Sequence, residues 1–143
     1  MGEYTVAVEH DPRPEDQRVI FEGLVAHNEA HAGGRGHAPV FLSLRDMQGA
    51  VVGGLIGSMV WGWLHVDILW VSEAVRGWGY GSKLLREAES HALAAGCQHA
   101  FLETLDFQAL PFYQRHDYEV FGTLEGFPPG HRQYYLRKQL GDS

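Results

Sequence analysis

The sequence predicts an α/β (α+β) domain built on a mixed, mostly antiparallel sheet, and three observations lead to this fold class. Several short segments alternate apolar and polar residues, which is typical of half-buried strands. Two longer segments repeat apolar residues at spacings of three and four, which is typical of amphipathic helices. One of these helices stands between two apolar strands, and a connection of that kind makes the two strands parallel.

The first half of the chain is predicted to hold a strand, a helix and a three-stranded meander. Residues 4–10 alternate and end at an Asp-Pro turn, so they are predicted as a strand. From Pro14, apolar residues recur at helical spacing behind two acidic residues that suit a helix N-terminus, and Gly33 ends this helix. The meander follows as strands at residues 39–44, 50–61 and 64–71.

The second half is predicted to contain a glycine-rich loop, two helices and three strands. The apolar residues of segment 83–95 share one helical face, and Gly96 suits the end of that helix. The later elements are a strand at residues 99–105, a short helix at 108–116 and two final strands at 118–124 and 132–140. The strands at 64–71 and 99–105 form the parallel pair of the crossover.

Composition and charge indicate one domain in a reducing compartment. The chain of 143 residues is 45% hydrophobic, which suffices for one core, so residues 1–143 are expected to form a single domain. The net charge of -7 supplies no positive field for nucleic acid or anionic lipid, and neither partner is expected. No apolar run approaches the roughly 20 residues of a membrane span. The lone Cys97 and the absence of a basic-then-apolar leader indicate a cytoplasmic protein.

A glycine-rich loop between the strand at 64–71 and the following helix carries the strongest chemical signal. Glycines at three alternate positions let the backbone approach a ligand, and the helix behind them directs N–H groups at it. Arg76 adds a planar cation and Ser82 adds a hydroxyl, so the ligand is expected to be a pyrophosphate. The loop residues assigned to this ligand are Arg76, Gly77, Trp78, Gly79, Tyr80, Gly81 and Ser82.

Two other phosphate-binding loops are excluded by spacing. A Walker loop places Lys before Ser or Thr, whereas here Ser82 precedes Lys83. A dinucleotide-binding fingerprint needs a third glycine three positions after the second, where Ser82 or Leu84 stands in the two registers available. A glycine-rich turn without a ligand is the alternative explanation of the loop taken alone.

The loop and a later segment together resemble a known family. Residues 76–81 fit the Gln/Arg-x-x-Gly-x-Gly/Ala motif of the GNAT N-acetyltransferase superfamily, with a strand before it and a helix after it as in that family. Residues 109–118 resemble the family's second signature: an Ala, then Phe-Tyr on a short helix, then an aromatic residue that opens a strand. The resemblance covers about residues 4–140. It implies a GNAT-like central mixed, mostly antiparallel sheet of six to seven strands flanked by helices on both faces.

The resemblance also implies an enzyme that moves an acetyl group from acetyl-CoA to a primary amine by direct attack in a ternary complex. The two parallel strands would splay apart, and the pantetheine arm would pair with the backbone of Leu69, Trp70 and Val71. Tyr113 stands at the family's tyrosine, which protonates the departing CoA thiolate. A phenol with a reference pKa of about 10 can protonate a thiolate whose thiol has a pKa of about 8.5, in a slightly uphill transfer.

Two positions depart from the family's pattern. Asp117 stands where glycine is common, and Asp tolerates the left-handed conformation that such a turn needs. Asp106 stands where the family often has Asn, so no CoA contact is assigned to its side chain.

The acceptor is mostly protonated at neutral pH and must lose a proton before it attacks, so a base is expected nearby. Asp67 and Glu103 stand in otherwise apolar strands, where burial disfavours the charged carboxylate and makes it more basic. Both are candidate bases, and for each a structural carboxylate is the alternative. Plain alternation places Asp67 on the side of Leu69 and opposite Ile68.

The acceptor site is expected near the first helix and the loop after it, because these segments shape that site in the family. Glu22, Glu29 and His31 are its candidates, and an acidic rim would suit a cationic amine. The pair His27 and His31 lacks the pattern of a zinc protease, and no metal is expected. The acceptor stays open, as a small-molecule or peptide amine, and the aromatic-rich C-terminal strands could carry a homodimer.

Two other classes stand beside the enzyme. A non-catalytic CoA-binding regulatory domain would keep the cofactor loop and lack turnover. A protein-interaction module would have a glycine-rich loop that binds nothing. Retained acetyl-CoA binding with lost turnover in Tyr113→Phe would separate the enzyme from the regulatory domain.

Overall fold

The structure is a computed structural model, describes residues 2–141, and divides at Arg35 into two compact units. The first unit contains helix α1 (Pro14–Ala32), as predicted. Pro14 occupies the first turn, where its missing N–H costs no helical hydrogen bond, and Gly33 at φ 77° caps the C-terminus with its N–H on the Glu29 carbonyl at 2.9 Å.

The strand predicted at residues 4–10 is wrong. Residues 2–9 have no regular secondary structure, and the side chains of Tyr4, Val6 and Val8 are exposed. Alternation gives a segment two different faces, but a strand also needs a neighbouring backbone to satisfy its N–H and C=O groups. Residues 4–10 pair with no strand in the part of the chain that the structure describes.

The second unit is a six-stranded sheet with helices packed against it, which confirms the predicted GNAT-like fold class. The strand order is β1-β2-β3-β4-β6-β5, and every neighbouring pair is antiparallel except β3 and β4. The strands are β1 (Ala38–Arg45), β2 (Val51–Val60), β3 (Trp63–Val71), β4 (His99–Leu105), β5 (Glu119–Glu125) and β6 (Arg132–Gln139). The helices are α2 (Tyr80–Ala94) and α3 (Leu110–Arg115), and a single 3-10 turn spans Glu73–Val75.

The core lies between the sheet and α2. Its fully buried leucines come from both layers, and Tyr113 of α3 and Tyr118 join the same cluster. Burial of these apolar side chains is the main favourable contribution to folding. The fully buried leucines are Leu55, Leu64, Leu85, Leu102 and Leu136.

One charged group is buried beside this core. The carboxylate of Glu89 on α2 accepts a hydrogen bond from the Tyr118 hydroxyl at 2.7 Å and another from Lys138 Nζ at 2.9 Å. Burial, followed by the charge of Glu89, raises the pKa of Tyr118 well above its usual range, so this hydroxyl remains a donor. Glu89 is therefore a satisfied structural carboxylate.

The parallel strands β3 and β4 pair over only part of their length. Their pairing begins at Trp63 with His99 and ends at Val66 with Leu102, although β3 continues to Val71. Beyond the last pair the two strands are no longer hydrogen bonded to each other. The divergence that the resemblance implied is therefore present, and it opens a gap in the middle of the sheet.

A β-bulge in β3 coincides with the start of this gap. In the ladder with β2, Gly57 pairs with Val66 and Ile56 pairs with Ile68, so Asp67 is an extra residue. A Cβ on Gly57 would collide with the backbone oxygen of His65, which explains the glycine at this position. The predicted placement of Asp67 on the side of Leu69 and opposite Ile68 is wrong. Because of the bulge, the carboxylate of Asp67 contacts His65 on the sheet face away from α2, and the side chain of Ile68 lies on the same face.

Candidate active site

The glycine-rich loop turns through the left-handed backbone region twice. Gly77 and Gly79 have φ of 83° and 87°, a conformation that is strained for residues with a Cβ, and Gly79 is the N-cap of α2. The helix begins at Tyr80, three residues before the predicted start. Lys83 donates the first helical hydrogen bond, to the Gly79 carbonyl at 3.1 Å, so the first-turn N–H groups before it have no helical acceptor.

Arg76 fastens this loop to the end of β3. Its Nε donates to the carbonyl of Val71 at 2.8 Å, which leaves the two terminal nitrogens of the guanidinium free of that contact. A guanidinium held by Nε is oriented, because its plane and its remaining donors are fixed together. Arg76 is thus both a structural link and an oriented cation beside the helix N-terminus.

A pocket of about 320 Å³ lies in front of the loop. Residues of the loop line one side, and Phe112 and Arg115 of α3 line the other. Arg115 was not among the predicted site residues, although its position three residues after Phe112 places both on one helical face. Two guanidinium groups and a helix N-terminus around one pocket are an arrangement that can bind an anion, and we call this pocket the anion site. The assigned loop residues in this lining are Arg76, Gly77, Gly79, Tyr80, Gly81 and Ser82, with Val71 from β3.

Ser82 has a partner, His116, that was not among the predicted site residues. Its Oγ lies 2.8 Å from Nε2 of His116, and both side chains are partly buried. Burial lowers the pKa of His116, which favours the neutral imidazole at neutral pH. The loop's hydroxyl is therefore held by a group that carries no charge. The side chain of Trp78, in contrast, is exposed.

Tyr113 lies on α3 next to the core. Its side chain is buried, and this burial raises the pKa of its hydroxyl to about 12. The rings of Phe112 and Tyr118 contact it edge-on, at centroid distances of 5.1 and 5.9 Å. The phenol therefore keeps its proton at neutral pH, and transfer of that proton to a thiolate is more uphill than it would be from a tyrosine with the ordinary pKa.

The two candidate bases are brought together by a histidine. His65 Nε2 lies 2.7 Å from Oε2 of Glu103, and Nδ1 lies 3.4 Å from Oδ1 of Asp67. The side chain of Asp67 is 60% exposed, whereas those of Glu103 and His65 are 31% and 23% exposed. The expected burial of Asp67 is therefore wrong, because the bulge turns it outward. His65 was not among the predicted site residues, because its partner Glu103 is 38 residues away in the sequence.

Both departures from the family pattern are satisfied locally. Asp117 has φ of 69°, the left-handed conformation expected there. The carboxylate of Asp106 accepts a hydrogen bond from His131 Nδ1 at 2.9 Å and from the Arg132 backbone N–H at 3.1 Å. Asp106 thus stabilises the end of the β5–β6 hairpin.

The candidate acceptor residues Glu22, Glu29 and His31 lie on α1 with exposed side chains, and their role stays a prediction. Nδ1 of His31 donates to the His27 carbonyl at 2.9 Å. Within residues 2–141, no three His, Cys, Asp or Glu side chains are grouped to hold a metal ion. Over the same residues, no helix combines the length and the apolar character that a membrane crossing requires.

A family sequence model and several known proteins are similar to this chain. The sequence model of the "Acetyltransferase (GNAT) family" matches residues 4–118. Blasticidin-S acetyltransferase of Streptomyces morookaense is 45% identical over 94 residues, which cover 65% of this chain and 69% of that protein. Acetyltransferase Atu2258 of Agrobacterium fabrum is 35% identical over 126 residues, which cover 88% of this chain and 92% of that protein.

The fold is similar to solved structures as well. A crystal structure of a protein from Agrobacterium tumefaciens superimposes with a TM-score of 0.89 and 32% sequence identity. The superposition covers 95% of this chain and 99% of that one. The similarity therefore includes almost the whole chain and not only the loop and α3.

Proposed function

This chain belongs to the acetyltransferase (GNAT) family, whose members use acetyl-CoA, and we propose that it moves the acetyl group of acetyl-CoA to a primary amine of a small cationic molecule. The observation that carries the proposal is the gap between β3 and β4, which opens next to a helix N-terminus flanked by Arg76 and Arg115. We further propose that residues 1–143 act as one acetyltransferase domain.

The anion site in front of α2 would hold the pyrophosphate of acetyl-CoA. The first-turn N–H groups of α2 supply donors, and the guanidiniums of Arg76 and Arg115 supply charge. In the tautomer with a proton on Nε2, His116 donates to Oγ of Ser82. The hydroxyl hydrogen of Ser82 would then be free to donate to the pyrophosphate. The pantetheine arm would pair with the unpaired edge of β3, along the backbone of Leu69, Trp70 and Val71.

The reaction would be a direct attack. Bound acetyl-CoA supplies a thioester carbonyl carbon as the electrophile. The amine nitrogen, after loss of one proton, forms a bond to this carbon, and the C–S bond breaks. Backbone N–H groups near Val71 would stabilise the oxyanion, and Tyr113 would give its proton to the leaving thiolate. For each acetyl group transferred, an ammonium becomes an amide, the thiolate becomes a thiol, and one proton is released to solvent.

The acceptor is proposed to be cationic because the gap is bordered by the carboxylates of Asp67 and Glu103, in a chain of net charge -7. The relative from Streptomyces morookaense is named for blasticidin S, so this compound is the first acceptor to test. Glu22, Glu29 and His31 are proposed as further acceptor contacts. A peptide amine is the second class of acceptor in the assay.

Thermal unfolding with and without acetyl-CoA tests the cofactor site, with ATP and NAD as controls. Acetyl-CoA at about 100 times its Kd is expected to stabilise the protein by roughly 2.7 kcal/mol, which corresponds to several degrees in Tm. Thiol release is then measured with blasticidin S and a panel of primary amines. Absence of any shift at saturating acetyl-CoA would contradict the proposal. A shift without transfer to any amine would instead favour a non-catalytic CoA-binding regulatory domain.

A further inference from the structure

We propose that His65 is the catalytic base of this enzyme, and that its Nδ1 takes the proton from the acceptor ammonium. The proposal rests on the proposed function, because it assigns a step of that reaction. It starts from one observation: both ring nitrogens of a partly buried histidine face carboxylates, Glu103 at 2.7 Å and Asp67 at 3.4 Å.

The two contacts differ in length, and this difference indicates which nitrogen of a neutral His65 carries the proton. A carboxylate only accepts hydrogen bonds, so the 2.7 Å contact to Glu103 requires a proton on Nε2 of His65. In the neutral form that a base requires, the imidazole carries this one N–H, so Nδ1 presents a lone pair. This is the arrangement in which a carboxylate orients a histidine and leaves the opposite nitrogen free to accept a proton.

In this neutral form, Nδ1 of His65 faces Asp67 without a hydrogen between them. A lone pair and a carboxylate oxygen at 3.4 Å repel each other unless a donor lies beside both. An ammonium group is a donor of the required kind, because it carries a positive charge and three N–H bonds. Asp67 is exposed on the bulge, so it can bind such a cation from solvent while Nδ1 accepts one of its protons.

The cluster lies where the reaction needs it. Asp67 and Glu103 are the first residues after the last β3–β4 pair, Val66 with Leu102, so they stand at the start of the gap. Along β4, Leu102 is buried on the α2 side, and Glu103 therefore lies on the opposite face. The amine would thus arrive from the face away from α2, while the anion site stands at the N-terminus of α2.

Packing alone does not account for the cluster. The ring of His65 stacks on Phe101 at a centroid distance of 4.5 Å, and His99 stacks on Trp63 in the same way at 4.6 Å. His99 has no carboxylate contact among residues 2–141, so stacking on this face does not require one. His99 is therefore a matched control for His65.

One N–H bond of the ammonium breaks and a bond to Nδ1 of His65 forms, which gives a neutral amine and an imidazolium. The imidazolium is stabilised by Glu103 on one side and by Asp67 on the other. After the attack, the amine nitrogen loses a second proton, and this loss balances the proton that Tyr113 gives to the thiolate. The imidazolium returns its proton to solvent.

Kinetics of His65→Gln, Glu103→Gln and His99→Gln test the assignment, with acetyl-CoA and the best amine of the panel. We expect His65→Gln to lower kcat/KM by about 10²- to 10⁴-fold and to change the pH dependence of kcat/KM. Glu103→Gln should lower kcat/KM less than His65→Gln does, and the kcat/KM of His99→Gln should stay within about threefold of the wild-type value. Acetyl-CoA affinity should change less than about threefold in all three, since the cluster lies outside the anion site.

Ionisable groups from three strands surround the ring of His65. Asp67 faces it from β3 and Glu103 from β4, and on β6 Tyr135 pairs with Glu103 and Arg137 pairs with Phe101. An active wild type with a His65→Gln variant of equal rate and unchanged pH profile would overturn the assignment while leaving the proposed function intact.

A second measurement decides the assignment even if no amine of the panel is acetylated. Long-range ¹H–¹⁵N spectra of the imidazoles, with His65→Gln to identify the signals, report which ring nitrogen carries the proton. We expect Nε2–H for His65 in the wild type, and a perturbed Nδ1 signal on addition of butylammonium chloride but not of sodium chloride. A proton found on Nδ1, or a response equal for both salts, would overturn the proposal.

Discussion

Nε2 of His116 lies 2.8 Å from Oγ of Ser82, and this hydrogen bond joins the residue after α3 to the first turn of α2. The two sides of the anion pocket are therefore connected directly, since α3 supplies Phe112 and Arg115 and the first turn of α2 supplies backbone donors. A change in the charge of His116 would act on the pocket through Ser82 and through Phe112, whose ring centroid lies 4.8 Å from that of the imidazole.

The stability of the protein is expected to depend on pH through His116. Burial lowers the pKa of its imidazole below the ordinary value of about 6.5. As pH falls, the His116 imidazole is therefore protonated in the unfolded chain at a higher pH than in the folded protein. The free energy of unfolding decreases as pH falls from about 6.5 through the folded-state pKa. Urea unfolding between pH 5 and 8 measures this decline. Part of it should be absent in His116→Gln, and parallel curves for the two proteins would contradict the prediction.

Replacement of Arg76 is expected to weaken acetyl-CoA binding even when the charge is kept. Arg76→Lys loses the Nε donor to Val71 and the planar fork, so its Kd should rise by roughly 10-fold, close to the rise in Arg76→Ala. Calorimetric titration measures both. Arg45→Lys is the control, because Arg45 also donates to a backbone carbonyl, that of Gly49 at 2.9 Å, but lies outside the pocket. A lysine variant with wild-type affinity would argue against an oriented guanidinium.

Two buried tyrosines should separate chemistry from stability. Tyr113→Phe removes the proposed acid and should lower kcat by about 10²-fold, with the affinity for acetyl-CoA preserved. Tyr118→Phe removes the hydrogen bond to Glu89 and should lower the free energy of unfolding by about 1–3 kcal/mol, with the turnover of folded protein unchanged. Thiol release and urea unfolding are measured on both variants. An unchanged rate in Tyr113→Phe would remove this residue from its role.

A methyl group at Gly57 is expected to destabilise the sheet strongly. The new Cβ would overlap the backbone oxygen of His65, so β2 and β3 would have to separate next to the bulge. We expect a loss of about 1–3 kcal/mol in the free energy of unfolding. Gly122→Ala is the control, since the Cβ there would meet only Tyr135 at 3.8 Å, an ordinary contact. Equal effects of the two substitutions would show that the collision is relieved without cost.

The parts of the fold that sequence predicted correctly are those determined by local pattern. Strand β4 was predicted over its observed residues, because its alternation is complete from His99 to Leu105. The start of α2 was predicted too late because Gly81 was assigned to the loop, whereas its φ is not positive and it lies within the first helical turn. Residues 4–10 alternate equally well and form no strand, because pairing depends on a partner that alternation does not supply.

The candidate site was predictable where a motif spans a few residues and unpredictable where two strands meet. The loop from Arg76 to Ser82 and the tyrosine on α3 both follow from short signatures. The contact between His65 and Glu103 depends on the register of β3 against β4, and the outward turn of Asp67 depends on the register of β3 against β2. Register is set by pairing across the sheet, and a single sequence does not contain it.

The bulge also determines where this strand can change length. Three side chains of β3 face the core: Leu64 and Val66 before the bulge, and Leu69 after it. Without the bulge, strict alternation would place Leu69 on the opposite side of the sheet from Leu64 and Val66. The extra residue is absorbed locally, so removal of Asp67 would leave the same side chains facing the core. Removal of a residue elsewhere in β3 would exchange inward and outward positions along the rest of the strand. Deletion of residue 67 should therefore leave the fold intact while it removes the carboxylate proposed to bind the amine, whereas deletions at the neighbouring positions should disturb the core itself.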